Sequence, residues 1–226
     1  WSRLSTNLDK NAGDPISPDE QKQLLNSTEI MVAATSDGGS SWTTKQLTDN
    51  ASPDLAPVTA VDGSHAVVFW RSVYASDAND LTSFDTRDSI CFSIYDGNGW
   101  SDAKMAYNGS QGGVVGLKTA MLENGTSIEG YELAYRVVEK DGTLGDLVVL
   151  TNDKETDANP QVAAADGSFI LGWYSTQDGG DIRLQAVGAD GQLYNGSSEN
   201  AIPASVKAIS QEENLNINSN FQFAKE

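Results

Sequence analysis

An all-β fold, a β-propeller of about four to five four-stranded blades, is what this 226-residue sequence predicts, and three observations predict it. First, the dipeptide Asp-Gly closes a strand-like run at Asp37, Asp96, Asp141 and Asp190, at intervals of 59, 45 and 49 residues. Such intervals suit a four-stranded blade and are too long for a helical-hairpin repeat. Second, Leu47-Thr48-Asp49-Asn50 runs on through Asp54 and Pro57 to Asp62-Gly63-Ser64 and Trp70, and Leu150-Thr151-Asn152-Asp153 runs on through Asp157 and Pro160 to Asp166-Gly167-Ser168 and Trp173. Third, helical periodicity is nearly absent.

Taken in chain order, the blade-like units cover about 1–50, 51–110, 111–153 and 154–210, and 211–226 starts or closes a further blade. A unit begins with a strand ending in an Asp-Gly or Asn-Gly turn, at Asp62-Gly63, Asn124-Gly125 and Asp166-Gly167, because these residues tolerate the positive backbone angles of tight hairpins. A short apolar second strand follows, as in Val67–Trp70 and Phe169–Trp173, with Ile128–Tyr131 in the diverged middle unit. Trp70, Tyr131 and Trp173 are expected to correspond and to be buried. Third strands lead into the second Asp-Gly turns, and the alternation of Ile90, Phe92 and Ile94 gives each one buried face. Fourth strands are read at Thr43–Leu47, Ala103–Tyr107, Leu147–Leu150 and Ile202–Val206.

Two long loops separate second from third strands, at 2–28 and 73–88, and the first holds the best helix candidate, Ser17–Leu25, with a cap-like Ser17 and Pro18 in its first turn. Trp1-Ser2-Arg3 matches the end of a second strand, as Trp70-Arg71-Ser72 and Trp173-Tyr174-Ser175 do. The segment Asn216–Phe223 reads as a first strand, and its expected place is beside the sheet begun by Ile30–Thr35, which would close a ring. The alternative is an open arc, a fragment of a larger propeller with flanking domains elsewhere in a longer chain.

Lys and Arg total 14 against 32 Asp and Glu, a net charge of −18 that repels nucleic acid and anionic lipid. No run of 18 apolar residues is present, so no membrane insertion is expected. The single Cys91 excludes an internal disulfide framework, and as part of an apolar strand it is expected to be a buried, inert thiol. The single His65 flanks a turn and cannot build a multi-histidine metal site.

The segment Thr35-Ser36-Asp37-Gly38-Gly39-Ser40-Ser41-Trp42 fills every defined position of the Asp-box, Ser/Thr-x-Asp-x-Gly-x-Ser/Thr-Trp, and so resembles the BNR-type repeats of sialidase-like β-propellers, in this case of a bacterial secreted or surface protein. The resemblance implies that Thr35, Asp37, Gly39, Ser41 and Trp42 form a structural hairpin between third and fourth strands, with the Asp and hydroxyls closing the turn and the Trp packing into the blade. The turns at Asp96, Asp141 and Asp190 keep only part of this pattern. A sialidase also needs three converging arginines, a Tyr-Glu nucleophile pair and an acid-base Asp. The five arginines here, Arg3, Arg71, Arg87, Arg136 and Arg183, fall in no local motif that assigns them to such a site.

One loop carries metal chemistry: Asp77, Asn79, Asp80 and Asp85 offer oxygen ligands at a spacing open to calcium, although without the Gly and terminal Glu of an EF-hand. A solvated Asp-rich turn is the alternative. No other cofactor is expected. The function expected is a non-catalytic extracellular binding or scaffold module, secreted or at the cell surface, with a glycan or a cell-surface protein as partner. The rival expectation is part of a sialidase-like or other glycoside hydrolase whose catalytic residues are incomplete in this segment.

Overall fold

The structure, a computed structural model, describes residues 1–73, 88–109, 117–121, 127–131, 133–151, 157–165, 167–176, 180–194, 206–210 and 221–225, and of 121, 127–131, 206–210 and 221–225 the strand pairing alone. The chain divides into two compact units, one formed by Trp1–Val58, Val68–Ser93 and Asn98–Val114, the other by Thr59–Val67, Ile94–Gly97 and Val115–Glu226. The sheets pair antiparallel wherever register is defined.

In the first unit β1 (Ser2–Leu4), β2 (Thr28–Ala34) and β3 (Thr43–Gln46) form a three-stranded sheet in that order. Between β1 and β2 lies helix α1 (Pro18–Asn26), where the sequence places it. The Ser17 hydroxyl accepts the Glu20 amide at 3.3 Å and the Glu20 carboxylate accepts the Ser17 amide at 2.8 Å, so two donors that the helix start leaves orphaned are satisfied reciprocally. Lys10 donates to the same carboxylate at 2.6 Å, and these bonds hold Glu20 well below the usual carboxylate range, at about 2.

A four-stranded sheet follows in the order β4 (Asp54–Asp62), β5 (His65–Val73), β6 (Asp88–Tyr95) and β7 (Lys104–Tyr107). Ile30, Val68 and Trp70 are at most 1% exposed and form a core with Val32, Leu47, Cys91 and Trp100 around them. Cys91 is thus half-buried at the margin of this core rather than enclosed in it. Phe69 and Phe92 stack at 5.5 Å between centroids, tilted by 32°. Each such side chain removed from water contributes roughly 1.5–3 kcal/mol.

In the second unit β8 (Lys118–Met121), β9 (Ser127–Tyr131), β10 (Ala134–Val138) and β11 (Val148–Val149) make a four-stranded sheet in sequence order. Strands β12 (Asp157–Ala165), β13 (Ser168–Ser175) and β14 (Asp181–Gly188) make a three-stranded one. Tyr135, Val137, Phe169, Leu171 and Val187 form the core between them, and β8 lies alongside β12.

The Asp-Gly turns after β10 and β14 repeat bond for bond. Asp141 and Asp190 each accept the amide two residues on, at 2.8 and 3.0 Å, while Gly142 and Gly191 donate to Glu139 and Gly188 at 2.8 and 2.9 Å. Both glycines have positive φ, 84° and 78°, which the turn requires.

The C-terminal expectation is corrected. β16 (Phe221–Lys225) pairs with β15 (Val206–Ser210) as a separate two-stranded sheet, Ser210 opposite Phe221, and not with the sheet begun by Ile30. Pairing a nearby segment costs little loop-closure entropy, whereas recruiting a strand almost two hundred residues away costs more. Of the fourth strand expected at Ile202–Val206, residues 202–205 lie outside those described and Val206 opens β15; a bridge pairs Val187 with Leu193 just after β14. No sheet closes on itself among the described residues.

Candidate functional site

Strand β2 runs directly into the Asp37 turn, and side chains close that turn as the sequence pattern requires. Thr35 Oγ1 donates to Asp37 Oδ1 at 2.7 Å and accepts the Gly39 amide at 2.9 Å. Asp37 Oδ1 accepts the Ser41 amide at 2.9 Å and Oδ2 accepts the Ser41 hydroxyl at 2.6 Å. With donors to both oxygens, the Ser41 hydroxyl foremost, the carboxyl is held far below the usual aspartate range. Both carboxylate oxygens are thus engaged in the turn.

Trp42 corrects the expectation drawn for it. It is 61% exposed and folds back over its own turn, its indole N–H donating to Gly39 O at 3.2 Å. The apolar space beside Ile30 and Trp70 is already lined by Trp100, Leu47 and Val32, so Trp42 has no cavity to enter.

Trp70 and Trp173, at 1% and 9% exposure, fill the second-strand positions assigned to them, and each donates its indole N–H to a carboxylate sixteen residues earlier: Asp54 Oδ1 and Asp157 Oδ1, both at 3.1 Å. Two residues after each Asp the backbone turns to positive φ, 52° at Ala56 and 52° at Asn159, and a proline follows. In β12 this produces a register shift between Ala158 and Gln161. The landmark residues of the repeat therefore form one clasp, built twice. Tyr131 lies in the second strand β9, and its side chain is outside the described residues.

Asp54 belongs to a larger polar group at the start of β4. Its Oδ2 accepts the Asn50 side-chain amide at 2.9 Å, while the Asn50 backbone amide donates to Glu29 Oε1 at 3.1 Å. Thr48 Oγ1 accepts the Ile30 amide at 2.9 Å. Glu29 and Asp54 are 2% and 0% exposed, and Glu29 Oε2 is buried without a partner. Burial pushes the Glu29 carboxyl up, against the lowering effect of the Thr48 and Asn50 hydrogen bonds, and the charges of Asp54 and Asp49 push it further. On β5, Arg71 pairs with the buried Asp88 of β6 through Nε at 3.0 Å and through Nη2. This assigns Arg71 to an intramolecular ion pair.

Reading the sequence finds Asp54, Trp70 and Asn50 as repeated landmarks without their bonds, and misses Glu29 altogether. Nothing in its local pattern marks it, because its importance comes from burial beside Asp54. The four residues proposed for calcium, Asp77, Asn79, Asp80 and Asp85, lie outside the described residues, as does Arg87. Among the described residues no three His, Cys, Asp or Glu side chains gather to hold a metal, and no helix is long and apolar enough to cross a membrane. In the second unit an apolar cleft is lined by Lys118, Leu133, Pro160, Leu171 and Trp173. It encloses about 20 Å³, room for a water molecule and not for a sugar ring.

No family model matches the chain, and no curated protein does. Solved structures similar to it include a Trypanosoma rangeli sialidase, at a TM-score of 0.44 and 12% identity over 74% of this chain and 32% of that one. The same sialidase in complex with 2,3-difluorosialic acid, as a covalent intermediate, gives 0.44 and 12% over 75% and 32%. A Penicillium chrysogenum α-L-arabinanase complexed with arabinobiose gives 0.37 and 13% over 75% and 66%. The chain spans about a third of the length of the sialidase.

Proposed function

We propose that the chain is a propeller-type, Asp-box-containing binding or scaffold module of a secreted or surface protein, taking a glycan or a cell-surface protein as its partner. The observation that carries this reading is where the acids go. Asp54 and Asp157 hold indoles, Asp88 holds Arg71 and Asp37 closes a turn, so the carboxylates that the fold positions best are consumed in building it. A glycosidase needs two carboxyls facing a cleft wide enough for a sugar ring. The apolar cleft of the second unit lacks that room. Fold alone does not supply function, and the choice of a carbohydrate ligand rests on the Asp-box resemblance.

A second reading is favoured by one observation. Glu29 and Asp54 are two acids brought together through Asn50, the kind of pairing a glycosidase uses. One experiment separates the two. The protein is screened on a glycan array and, in parallel, incubated with the bound glycans and with sialyl and arabinosyl substrates. Binding without product supports the module. Hydrolysis that disappears in Glu29→Gln establishes the enzyme, and neither binding nor hydrolysis leaves a protein partner to be sought by the same surface.

A further inference from the structure

Trp42 is exposed where its motif implies burial, and the turn that carries it holds it there. Its ring is 61% exposed, more than any other aromatic among the described residues, while Trp70 and Trp173 are buried. The indole N–H is tied to Gly39 O at 3.2 Å, and a Cβ at Gly39 would lie 3.8 Å from Trp42 Cζ2, so the ring lies along its own turn. That turn is itself fixed by the bonds among Thr35, Asp37, Gly39 and Ser41. A tryptophan anchored in this way has little rotamer freedom left to lose when a ligand meets it.

The surroundings select the kind of ligand. Thr35, Ser36, Ser40, Ser41, Thr43 and Thr44 flank the ring in sequence, all exposed and all bearing hydroxyls. At the foot of the hairpin Ala33 pairs with Thr44 and Ala34 with Thr43, four small exposed residues, so the surface there is low. A stable protein partner takes roughly 800 Å² from each side, with a contiguous apolar core inside a polar rim. One ring among hydroxyls does not supply that core. A sugar ring matches it better: C–H groups with partial positive charge lie against the electron-rich indole face, and sugar hydroxyls meet side-chain hydroxyls that both donate and accept. Charge narrows the choice further. Asp37 is the acid nearest in sequence, Lys45 turns its ammonium to Trp100 O at 3.4 Å, and the chain carries −18 overall, so an anionic sugar is repelled where a neutral one is not.

We propose that Trp42 and the hydroxyls of its turn form a stacking site for a neutral pyranose glycan whose rings present a flat C–H face, as β-linked glucose does. This rests on the glycan-binding reading of the module and adds to it the residue that binds and the class of sugar bound. The Asp-box hairpin then does two jobs, closing the strand pair and displaying a rigid aromatic plate.

The test is a titration of the chain with cellotetraose, followed by heteronuclear NMR, with the Trp42 indole signal assigned by its loss in Trp42→Phe. In wild type the Trp42 indole and Gly39 amide signals should shift and saturate at roughly millimolar sugar. Trp42→Ala should bind at least about tenfold more weakly while melting close to wild type, and Trp42→Tyr, which restores a flat ring, should recover part of the loss. Sialyllactose, an anionic sugar, should bind more weakly than cellotetraose, by a margin that narrows as salt is raised. If cellotetraose, or a glycan found on the array, binds Trp42→Ala as tightly as wild type, the site is wrong and the glycan-binding module stands. If neither cellotetraose nor any array glycan binds wild type, that reading fails and the site fails with it. Sialyllactose bound through Trp42 more tightly than cellotetraose would overturn the assignment to a neutral sugar.

Discussion

Trp70 and Trp173 each serve as core filler and as hydrogen-bond donor, and substitution separates these roles. Trp70→Ala should destabilise by about 3–5 kcal/mol through the lost apolar burial and the cavity left behind, measured by urea unfolding. Trp70→Phe keeps most of the packing but orphans the buried Asp54 oxygen, and should cost about 1–3 kcal/mol. If Asp54→Asn restores part of that loss in the double variant, the carboxylate is the orphan. Asp37 behaves differently because it is exposed. Its lowered carboxyl contributes stability that is present above the ordinary aspartate range and disappears as pH falls through the folded value. Asp37→Ala should therefore melt below wild type at neutral pH, and the two melting curves should converge in strong acid. Repetition made Trp70 and Trp173 legible, since equal offsets in two units point to equal environments. Trp42 was misjudged for a related reason: its motif specifies the bonds of the turn, and what stacks on the neighbouring core depends on Trp100, far away in sequence.

At the level of elements, the turns carry more information than the strands between them. Gly191 has φ +78°, and a Cβ there would lie 3.3 Å from Val137 Cγ2, so Gly191→Ala should cost about 1–2 kcal/mol by denaturant titration, with the core of the second unit unchanged in near-ultraviolet dichroism. Helix α1 has no buried residue and depends on its cap. Ser17→Ala should accordingly increase exchange at the α1 amides while leaving global unfolding almost unmoved, and a large global loss would show that the loop is part of the core. This helix was legible because Ser17, Pro18 and Glu20 are adjacent in sequence. The partnership of β15 with β16 was not, since nothing local distinguishes one antiparallel partner from another when both are short and alternating.

For the whole chain, a net charge of −18 makes self-repulsion the broadest force opposing compaction. Raising potassium chloride from about 0.02 to 0.2 M shortens the screening length to below about 10 Å and should raise the melting temperature; a flat response would mean that the acids are too dispersed to matter. Sheet-rich architecture follows from hydrophobic alternation and turn chemistry, which is why it could be read in advance. The positions of Glu29 and Asp54 relative to each other could not, because burial is a property of the folded chain. The doubled proline turn has one more consequence. β4 and β12 are edge strands of their sheets, and each carries Pro one residue after a positive-φ position, Ala56-Pro57 and Asn159-Pro160. Such an edge offers an incomplete row of donors to a passing strand. Pro57→Thr and Pro160→Thr should leave the monomer folded yet hasten its aggregation on prolonged incubation, followed by light scattering, so the residues that bend these strands also guard an acidic, sheet-rich protein against sticking to copies of itself.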